Sequence, residues 1–183
     1  GRPNVGKSTL LNSIITEHVA ITSDKAGTTR NIIQGIYNEP DYQIVFVDTP
    51  GIGKPINRLG KVLNREALTL TKDVDVILFV VDIASGIGKG DLYILDILKE
   101  TNIPVILVMN KIDRISNEKL IKTISEYKDI FPFADIVPVS ALIKDNVDRL
   151  IMVTKKYLKD DIKYFADDEY TSNTLSFMVS EIV

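Results

Sequence analysis

The first eight residues, GRPNVGKS, restrict the fold of this 183-residue chain more than any other part of it. They match the pattern G-x-x-x-x-G-K-[ST] at every fixed position. The glycines allow backbone N–H groups to turn inward around phosphate oxygens, and a helix that begins near Lys7 adds the positive end of its dipole. The Lys7 ammonium is expected to reach the β- and γ-phosphates of a nucleotide, and the Ser8 hydroxyl to bind Mg²⁺. Such a loop normally follows a β-strand, so we expect a first strand to be missing from a chain truncated at both ends.

Alternating apolar runs and helical periods predict the rest of the fold. Four β-branched, nearly continuous apolar runs are typical of strands covered on both faces, at residues 42–48, 74–82, 103–110 and 134–140. Helix-like segments lie at residues 7–16, 57–72, 90–101, 116–130 and 145–159. Segment 31–40 precedes the first run by a short polar turn, which predicts an antiparallel hairpin at the sheet edge. The sequence therefore predicts an α/β, doubly wound P-loop NTPase with a mostly parallel sheet and one antiparallel edge strand.

A change in composition after Lys159 predicts a domain boundary. Residues 1–160 are expected to form the nucleotide-binding domain without its first strand, and residues 161–183 a linker and the start of a second domain. The stretch TSNTLSFMVSEIV at 171–183 is interpreted as the capped start of a helix. Because a missing central strand would expose sheet edges, we expect the isolated chain to be of low stability.

Composition excludes several kinds of site. The net charge is -3 and the pI about 5.2, which argues against nucleic-acid binding by this part of the protein alone. Without cysteines the chain has no disulfides or thiolate metal sites. No apolar run approaches the roughly 18 residues that a membrane-spanning helix requires.

The sequence VDTPG, at residues 47–51, is the second candidate segment. Asp48 ends a predicted strand, where its carboxylate can hold Mg²⁺ through a water. Gly51 can place its N–H on the γ-phosphate and move away when that phosphate leaves. The next residue is Ile52, where Ras-like enzymes carry a glutamine that orients the attacking water. Since an isoleucine side chain cannot orient water, we expect slow intrinsic hydrolysis or catalysis by another group.

Asn4 is a candidate for that other group. Its amide oxygen could help to hold a K⁺ ion beside the phosphates, where the ion would neutralise charge as an arginine does in other enzymes. The alternative is that Asn4 only stabilises the turn.

The sequence NKID predicts a guanine pocket. The Asp113 carboxylate can accept from guanine N1–H and from the exocyclic amino group, and adenine lacks both donors on that edge. Asn110 can orient the loop and contact the base, while the Lys111 stem can lie on the ring face. Further along the chain, the backbone groups of Ser140 and Ala141 in VSA can meet guanine O6. All these motifs end predicted strands, as expected of ligand sites in open α/β sheets.

The polar segment 21–31 is expected to be a switch that a triphosphate orders. One of its threonines, Thr28 or Thr29, can complete the Mg²⁺ shell, and we favour Thr29. The full set of predicted nucleotide contacts is Gly1, Arg2, Pro3, Asn4, Val5, Gly6, Lys7, Ser8, Thr9, Thr29, Asp48, Thr49, Pro50, Gly51, Ile52, Asn110, Lys111, Asp113, Ser140 and Ala141. The predicted metal ligands are Ser8, Thr29 and Asp48. The predicted catalytic residues are Asn4, Lys7, Thr29 and Gly51.

These segments together resemble the translation-factor-related GTPases of the TrmE–Era group. The stretches that carry the resemblance are GRPNVGKSTLLN, ITSDKAGTTRN, VDTPG, NKID and VSA. The stretch FADDEYTSNTLSFMVSEIV is similar to the start of the second domain in Era-type members of the group, which is a KH-type domain. The resemblance covers the whole chain.

The resemblance implies a bacterial GTPase that uses GTP, GDP and Mg²⁺ and acts in small-subunit assembly and 16S rRNA processing. It implies that a C-terminal KH-type domain, whose GxxG loop is not in this sequence, binds 16S rRNA and the small ribosomal subunit. We expect a monomer in the cytoplasm, partly peripheral at the inner face of the cell membrane. Two alternatives are another member of the group, either a tandem-domain ribosome GTPase or a tRNA-modification GTPase, and a GTP-binding scaffold with little turnover.

Overall fold

The computed structural model describes residues 4–15, 21–22, 32–40, 42–49, 74–159 and 179–182. The strands in these ranges are β1 (Ile21–Thr22), β2 (Ile32–Glu39), β3 (Tyr42–Thr49), β4 (Val76–Asp82), β5 (Val105–Asn110), β6 (Asp135–Pro138) and β7 (Val179–Ile182). The helices are α1 (Lys7–Ile14), α2 (Lys89–Leu98), α3 (Asn117–Ile130) and α4 (Val147–Lys155), and two 3₁₀ turns span Ile83–Ser85 and Ile112–Arg114. None of these helices is long and apolar enough to cross a membrane.

The described strands form a single sheet in the order β1–β2–β3–β7–β4–β5–β6. β1, β2 and β3 pair antiparallel, and every pair from β3 across to β6 is parallel. The predicted α/β fold with a mostly parallel sheet and an antiparallel edge is therefore confirmed. The four apolar runs form β3 to β6, and segment 31–40 forms β2, which pairs with β3 from Ile32 opposite Asp48 to Glu39 opposite Tyr42. β1 adds a short outer strand from a segment that the sequence predicted as a polar loop.

The sheet is covered on both faces because consecutive side chains of each strand point to opposite sides. Leu78 and Val80 of β4 belong to a buried cluster that includes side chains of α1 and α4. Ile77 and Phe79 belong to a second cluster that includes side chains of α2 and α3. A continuous apolar run is therefore what this strand requires.

The helices confirm the predicted segments with shifted ends. α2 ends at Leu98 rather than residue 101, and α4 spans a shorter range than 145–159. Leu95 and Leu98 share the buried face of α2 with Ile94, whereas Leu92 is 44% exposed. At 100° per residue, positions 92 and 98 lie about 120° apart, too wide for one narrow stripe. The helix predicted over 57–72 lies outside the described residues.

β2 approaches the end of α1 closely at Gly35. A Cβ atom there would lie 2.0 Å from the Cδ1 atom of Ile15, the residue that follows α1. Glycine lets this helix end pack on the strand.

β7 differs from the prediction. Residues 179–182 form a strand between β3 and β4, parallel to both, where the sequence predicted a helix. The adjoining edges of β3 and β4, which were expected to be exposed, are therefore paired along β7. The division into domains at residue 160 stays a prediction, because residues 160–178 lie outside the described ranges.

Candidate nucleotide-binding site

The predicted phosphate-binding segment, residues 1–8, is called the phosphate loop below. It turns at Gly6, immediately before α1. Gly6 has φ 95° and ψ 25°, in the left-handed region where glycine has no steric penalty. A Cβ atom here would lie 2.3 Å from Nδ2 of Asn110, so glycine is also required by the close approach of a neighbouring loop. Asn4 has a positive φ of 64°, and Val5 between the two turns is 2% exposed and anchors the loop in the core.

The N-terminus of α1 is arranged for an anion. Among the described residues no side chain caps it, and no acidic residue lies in its first turn. By contrast, an oxygen of Asp91 accepts from a backbone N–H at the start of α2, and Ser116 caps α3. The first turn of α1 carries instead a half-buried Lys7 and the exposed residues Ser8 and Thr9. Uncapped N–H groups and the positive end of the dipole, beside a lysine, favour a phosphate at this position.

Asn110 joins three segments of the chain. Its side chain is buried, with the residue 2% exposed. Nδ2 donates to the Val5 carbonyl at 2.9 Å, which ties the phosphate loop to the carboxyl end of β5. Oδ1 accepts from the backbone N–H of Lys111 at 2.8 Å and from that of Ala141 at 3.0 Å. The predicted role of Asn110 in orienting the loop is therefore visible in its hydrogen bonds.

Lys111 makes a second connection to the phosphate loop. Its Nζ donates to the Asn4 carbonyl at 2.8 Å and to Oδ2 of Asp82 at 2.7 Å. The other carboxylate oxygen of Asp82 accepts from Ala84 N at 2.9 Å and Ser85 N at 3.4 Å, at the start of the 3₁₀ turn after β4. Burial would raise the pKa of Asp82, but the hydrogen bond and charge of Lys111 and these two N–H groups outweigh it and lower the pKa.

Asp113 lies in the 3₁₀ turn after β5 and is exposed. The buried Ser140 hydroxyl donates to its Oδ1 at 2.5 Å and so fixes the carboxylate. Ser140 acts here through its side chain, whereas the sequence had assigned a role only to its backbone. That backbone pairs with Asp145 through two 3.0 Å bonds, and Ala141 N donates to Asn110. The contact of these backbone groups with guanine O6 stays a prediction.

The other predicted residues are described only in part. The backbones of Asp48 and Thr49 occupy the last two positions of β3, at the carboxyl edge of the sheet. Outside the described ranges lie Gly1, Arg2, Pro3, Thr28, Thr29, Pro50, Gly51 and Ile52. In the described part of the chain no group of three or more His, Cys, Asp or Glu residues could hold a metal ion. Mg²⁺ usually keeps several waters and binds one or two protein oxygens together with the phosphates. The Ser8 hydroxyl at the start of α1 is an appropriate oxygen.

A family comparison agrees with this geometry. Residues 1–111, more than half of the chain, match the model of the 50S ribosome-binding GTPase family. The match includes the phosphate loop, Asp82 and the start of the base loop, which we define as residues 110–113 after β5. The chain belongs to this GTPase family.

Curated relatives are longer than the chain. It is 51% identical over its whole length to GTPase Era of Clostridium kluyveri and 47% identical to GTPase Era of Staphylococcus haemolyticus. It spans 62% and 61% of the length of these two proteins.

Solved structures show the same similarity. The fold resembles Era crystallised with MgGDPNP and nucleotides 1506–1542 of 16S ribosomal RNA, with TM-score 0.75 and 41% identity over 92% of this chain and 58% of that one. It also resembles a variant of Aquifex aeolicus Era bound to GDP·AlF4⁻, with TM-score 0.75 and 40% identity over 95% of this chain and 60% of that one. These findings confirm the resemblance to Era-type GTPases.

Asp82 was missed by the sequence reasoning. The available signal was an aspartate at the carboxyl end of a buried strand, β4. The next strand along the chain, β5, leads into the base loop. Because β4 and β5 are parallel neighbours with Asp82 opposite Asn110, the carboxyl ends of the two strands lie side by side at the site.

Proposed function

We propose that the protein to which this chain belongs binds GTP and GDP with Mg²⁺ and hydrolyses GTP to GDP and phosphate. The observation that carries the proposal is the direct bonding of the base loop to the phosphate loop, from Asn110 to the Val5 carbonyl and from Lys111 to the Asn4 carbonyl. The two loops that would recognise the base and the phosphates therefore form one site. Membership of a GTPase family supports the same conclusion.

The chain's own residues would bind and orient the nucleotide. The N–H groups at the start of α1 and the Lys7 ammonium would hold the β- and γ-phosphates. Ser8, together with the predicted ligands Thr29 and Asp48, would hold Mg²⁺, which neutralises phosphate charge when bound. Gly51 is proposed to sense the γ-phosphate through its N–H.

Base recognition can be tested by changing the donors of the pocket. Guanine offers N1–H and an amino group to the Asp113 carboxylate, whereas xanthine carries a carbonyl in place of that amino group. Asp113→Asn supplies an N–H₂ group to that carbonyl, so the variant should prefer XDP where the wild type prefers GDP. An unpaired polar group costs about 1–3 kcal/mol, so we expect a change of roughly 5- to 150-fold in each affinity.

The control for this test is Asp96→Asn, which replaces an exposed aspartate on α2 that pairs with Lys99. It should keep the wild-type preference for GDP. A wild-type preference retained by Asp113→Asn would contradict the proposed pocket.

Turnover separates a hydrolase from a scaffold. Steady phosphate release from GTP that is lost in Lys7→Ala would support hydrolysis. Tight GTP binding without phosphate release would favour the scaffold.

The structure bears on Asn4 and the proposed K⁺ site. The Asn4 side chain is exposed, and among the described residues it makes no hydrogen bond that would hold the turn. Its backbone carbonyl accepts from Lys111 Nζ. This favours an amide available for a cation over a purely turn-stabilising role.

The proposed cellular role is assembly of the small ribosomal subunit through 16S rRNA, by a KH-type domain beyond Val183. Support comes from the 51% identity with GTPase Era over the whole chain and from the Era crystal structure that contains 16S rRNA. The family description names the 50S subunit instead. Co-sedimentation of the complete protein with purified 30S or 50S subunits, with a GTP analogue or with GDP, would show which subunit the protein binds. Binding to 50S alone would contradict the proposed role.

Fractionation of cells that contain the complete protein can test its location. We expect the protein mainly in the cytosolic fraction, with a minor salt-extractable part on the inner membrane. A protein that only detergent releases from the membrane would contradict this.

A further inference from the structure

Asp82 divides its two carboxylate oxygens between two tasks. Oδ1 accepts from Ala84 N and Ser85 N and starts the 3₁₀ turn after β4. Oδ2 accepts from Nζ of Lys111 at 2.7 Å. The side chains of Asp82 and Lys111 are 16% and 22% exposed, so this ion pair is largely removed from solvent and is weakly screened by salt.

The same ammonium also bonds the phosphate loop. Lys111 Nζ donates to the Asn4 carbonyl at 2.8 Å. Lys111 and Asn4 both have left-handed backbone conformations, with φ 69° and 64°. Such conformations cost energy in non-glycine residues and persist where surrounding contacts hold them. The Asp82 carboxylate therefore supports two strained turns through one ammonium group.

We propose that Asp82 is a positioning residue for nucleotide binding, which holds the Lys111 ammonium on the Asn4 carbonyl and thereby joins the base loop to the phosphate loop before the nucleotide arrives. The inference rests on the proposed guanine-nucleotide site. Because both loops are fixed in advance, less ordering is required on binding, and the affinity for nucleotide is higher.

The position of the contact predicts which step it affects. Lys111 bonds a backbone carbonyl in the part of the phosphate loop that precedes Gly6, whereas Lys7 and Ser8, proposed to contact the phosphates and Mg²⁺, follow it. Loss of the ion pair should therefore weaken GDP and GTP binding by the same factor. It should change kcat at saturating GTP much less than Kd, because Lys111 bonds the backbone carbonyl of Asn4 and not its side-chain amide.

Asp82→Asn separates the two tasks of the carboxylate. The amide Oδ1 can still accept from Ala84 N, while the charge that holds Lys111 is lost. In the complete protein we expect the Kd for fluorescent GDP to rise about 10-fold, through faster dissociation, since hydrogen bonds to charged groups contribute more than neutral ones. Asp82→Ala should add a loss of thermal stability from the uncapped turn. Asp96→Asn, which breaks an exposed aspartate–lysine pair on α2, should behave as wild type.

A double-mutant cycle distinguishes positioning from a general structural effect. Lys111→Met keeps an apolar stem to lie on the base but removes the ammonium. In this background Asp82→Asn should not change the Kd for GDP further. Additive losses in the double variant would show that Asp82 acts independently of Lys111 and would overturn the inference.

The outcomes for wild type keep the two proposals apart. If wild type binds GDP and Asp82→Asn binds it equally well, the positioning role is wrong and the nucleotide site stands. If wild type binds no guanine nucleotide, both are wrong. A fall in kcat without a change in Kd would also overturn the positioning role.

Discussion

Replacing Gly6 by alanine tests the geometry of the phosphate loop most directly. An alanine in the left-handed conformation of Gly6 costs about 1–2 kcal/mol. Its Cβ would lie 2.3 Å from Asn110 Nδ2, so the amide must move. That movement breaks the bond to the buried Val5 carbonyl, and an unpaired buried acceptor costs about 1–3 kcal/mol. The free energy of unfolding should therefore fall by about 2–5 kcal/mol, the sum of these two terms.

The assay is urea unfolding of the complete protein, together with its affinity for GDP. Gly86→Ala is the matched control, since Gly86 also has a positive φ, of 68°, but a Cβ there would meet no atom within 4 Å. This control should lose only the cost of backbone strain, about 1–3 kcal/mol, and should keep the wild-type Kd for GDP. Gly6→Ala should lose stability and raise that Kd more than 10-fold, because 1.4 kcal/mol corresponds to a factor of ten.

The contact with Asn110 can be isolated by a cycle. In an Asn110→Ala background no amide stands in the way, so Gly6→Ala should cost only its backbone strain, about 1–2 kcal/mol. Equal losses of stability in Gly6→Ala and Gly86→Ala, with GDP affinity kept in both, would refute the steric argument.

Three further predictions follow from contacts elsewhere. GTP hydrolysis should be faster in K⁺ than in Na⁺, and Asn4→Ala should abolish the difference; equal rates in all four cases would remove the cation proposal. Gly35→Ala should destabilise the protein, and Ile15→Ala should rescue most of that loss in a urea titration, because the Ile15 Cδ1 atom occupies the space of the new methyl group. Because the pKa of Asp82 is lowered in the folded protein, its contribution to stability is present above its unfolded pKa, about 3.9, and is lost as the pH falls through the folded value. Acid unfolding of wild type between about pH 5 and pH 2 should therefore be steeper than that of Asp82→Asn, and identical profiles would contradict the ion pair.

Short-range sequence patterns were sufficient to predict the two loops of the site and the parallel strands that carry them. The phosphate loop and the base loop each combine residues a few positions apart, so their chemistry can be interpreted locally. The apolar runs of β4 and β5 are continuous because both of their faces are covered, and only a sheet between two layers of helices requires that. Parallel strands then bring the motif at each carboxyl end to one edge.

Contacts between distant segments could not be predicted in this way. The partner of Asp82 stands 29 residues along the chain, and that of Ser140 stands 27 residues back. Each pairing depends on which strands are neighbours and on how far each loop reaches. An aspartate at a strand end is equally compatible with a metal ligand, a turn cap or an ion pair, and here Asp82 is both of the last two.

β7 shows how a long-range effect outweighs a local signal. The Thr, Ser and Asn residues at 171–174 are typical of a helix start, but Val179 and Ile182 are β-branched. Ordinary helix propensities differ by at most about 0.7 kcal/mol per residue, so four residues supply less than about 3 kcal/mol of preference, and a single turn is too short to nucleate a helix. All four of these residues pair with β3 and the first three also pair with β4, and backbone hydrogen bonds contribute about 0.5–1.5 kcal/mol each. Two rows of otherwise unpaired backbone groups therefore favour a strand, and the stability of this sheet depends on the presence of a strand between β3 and β4.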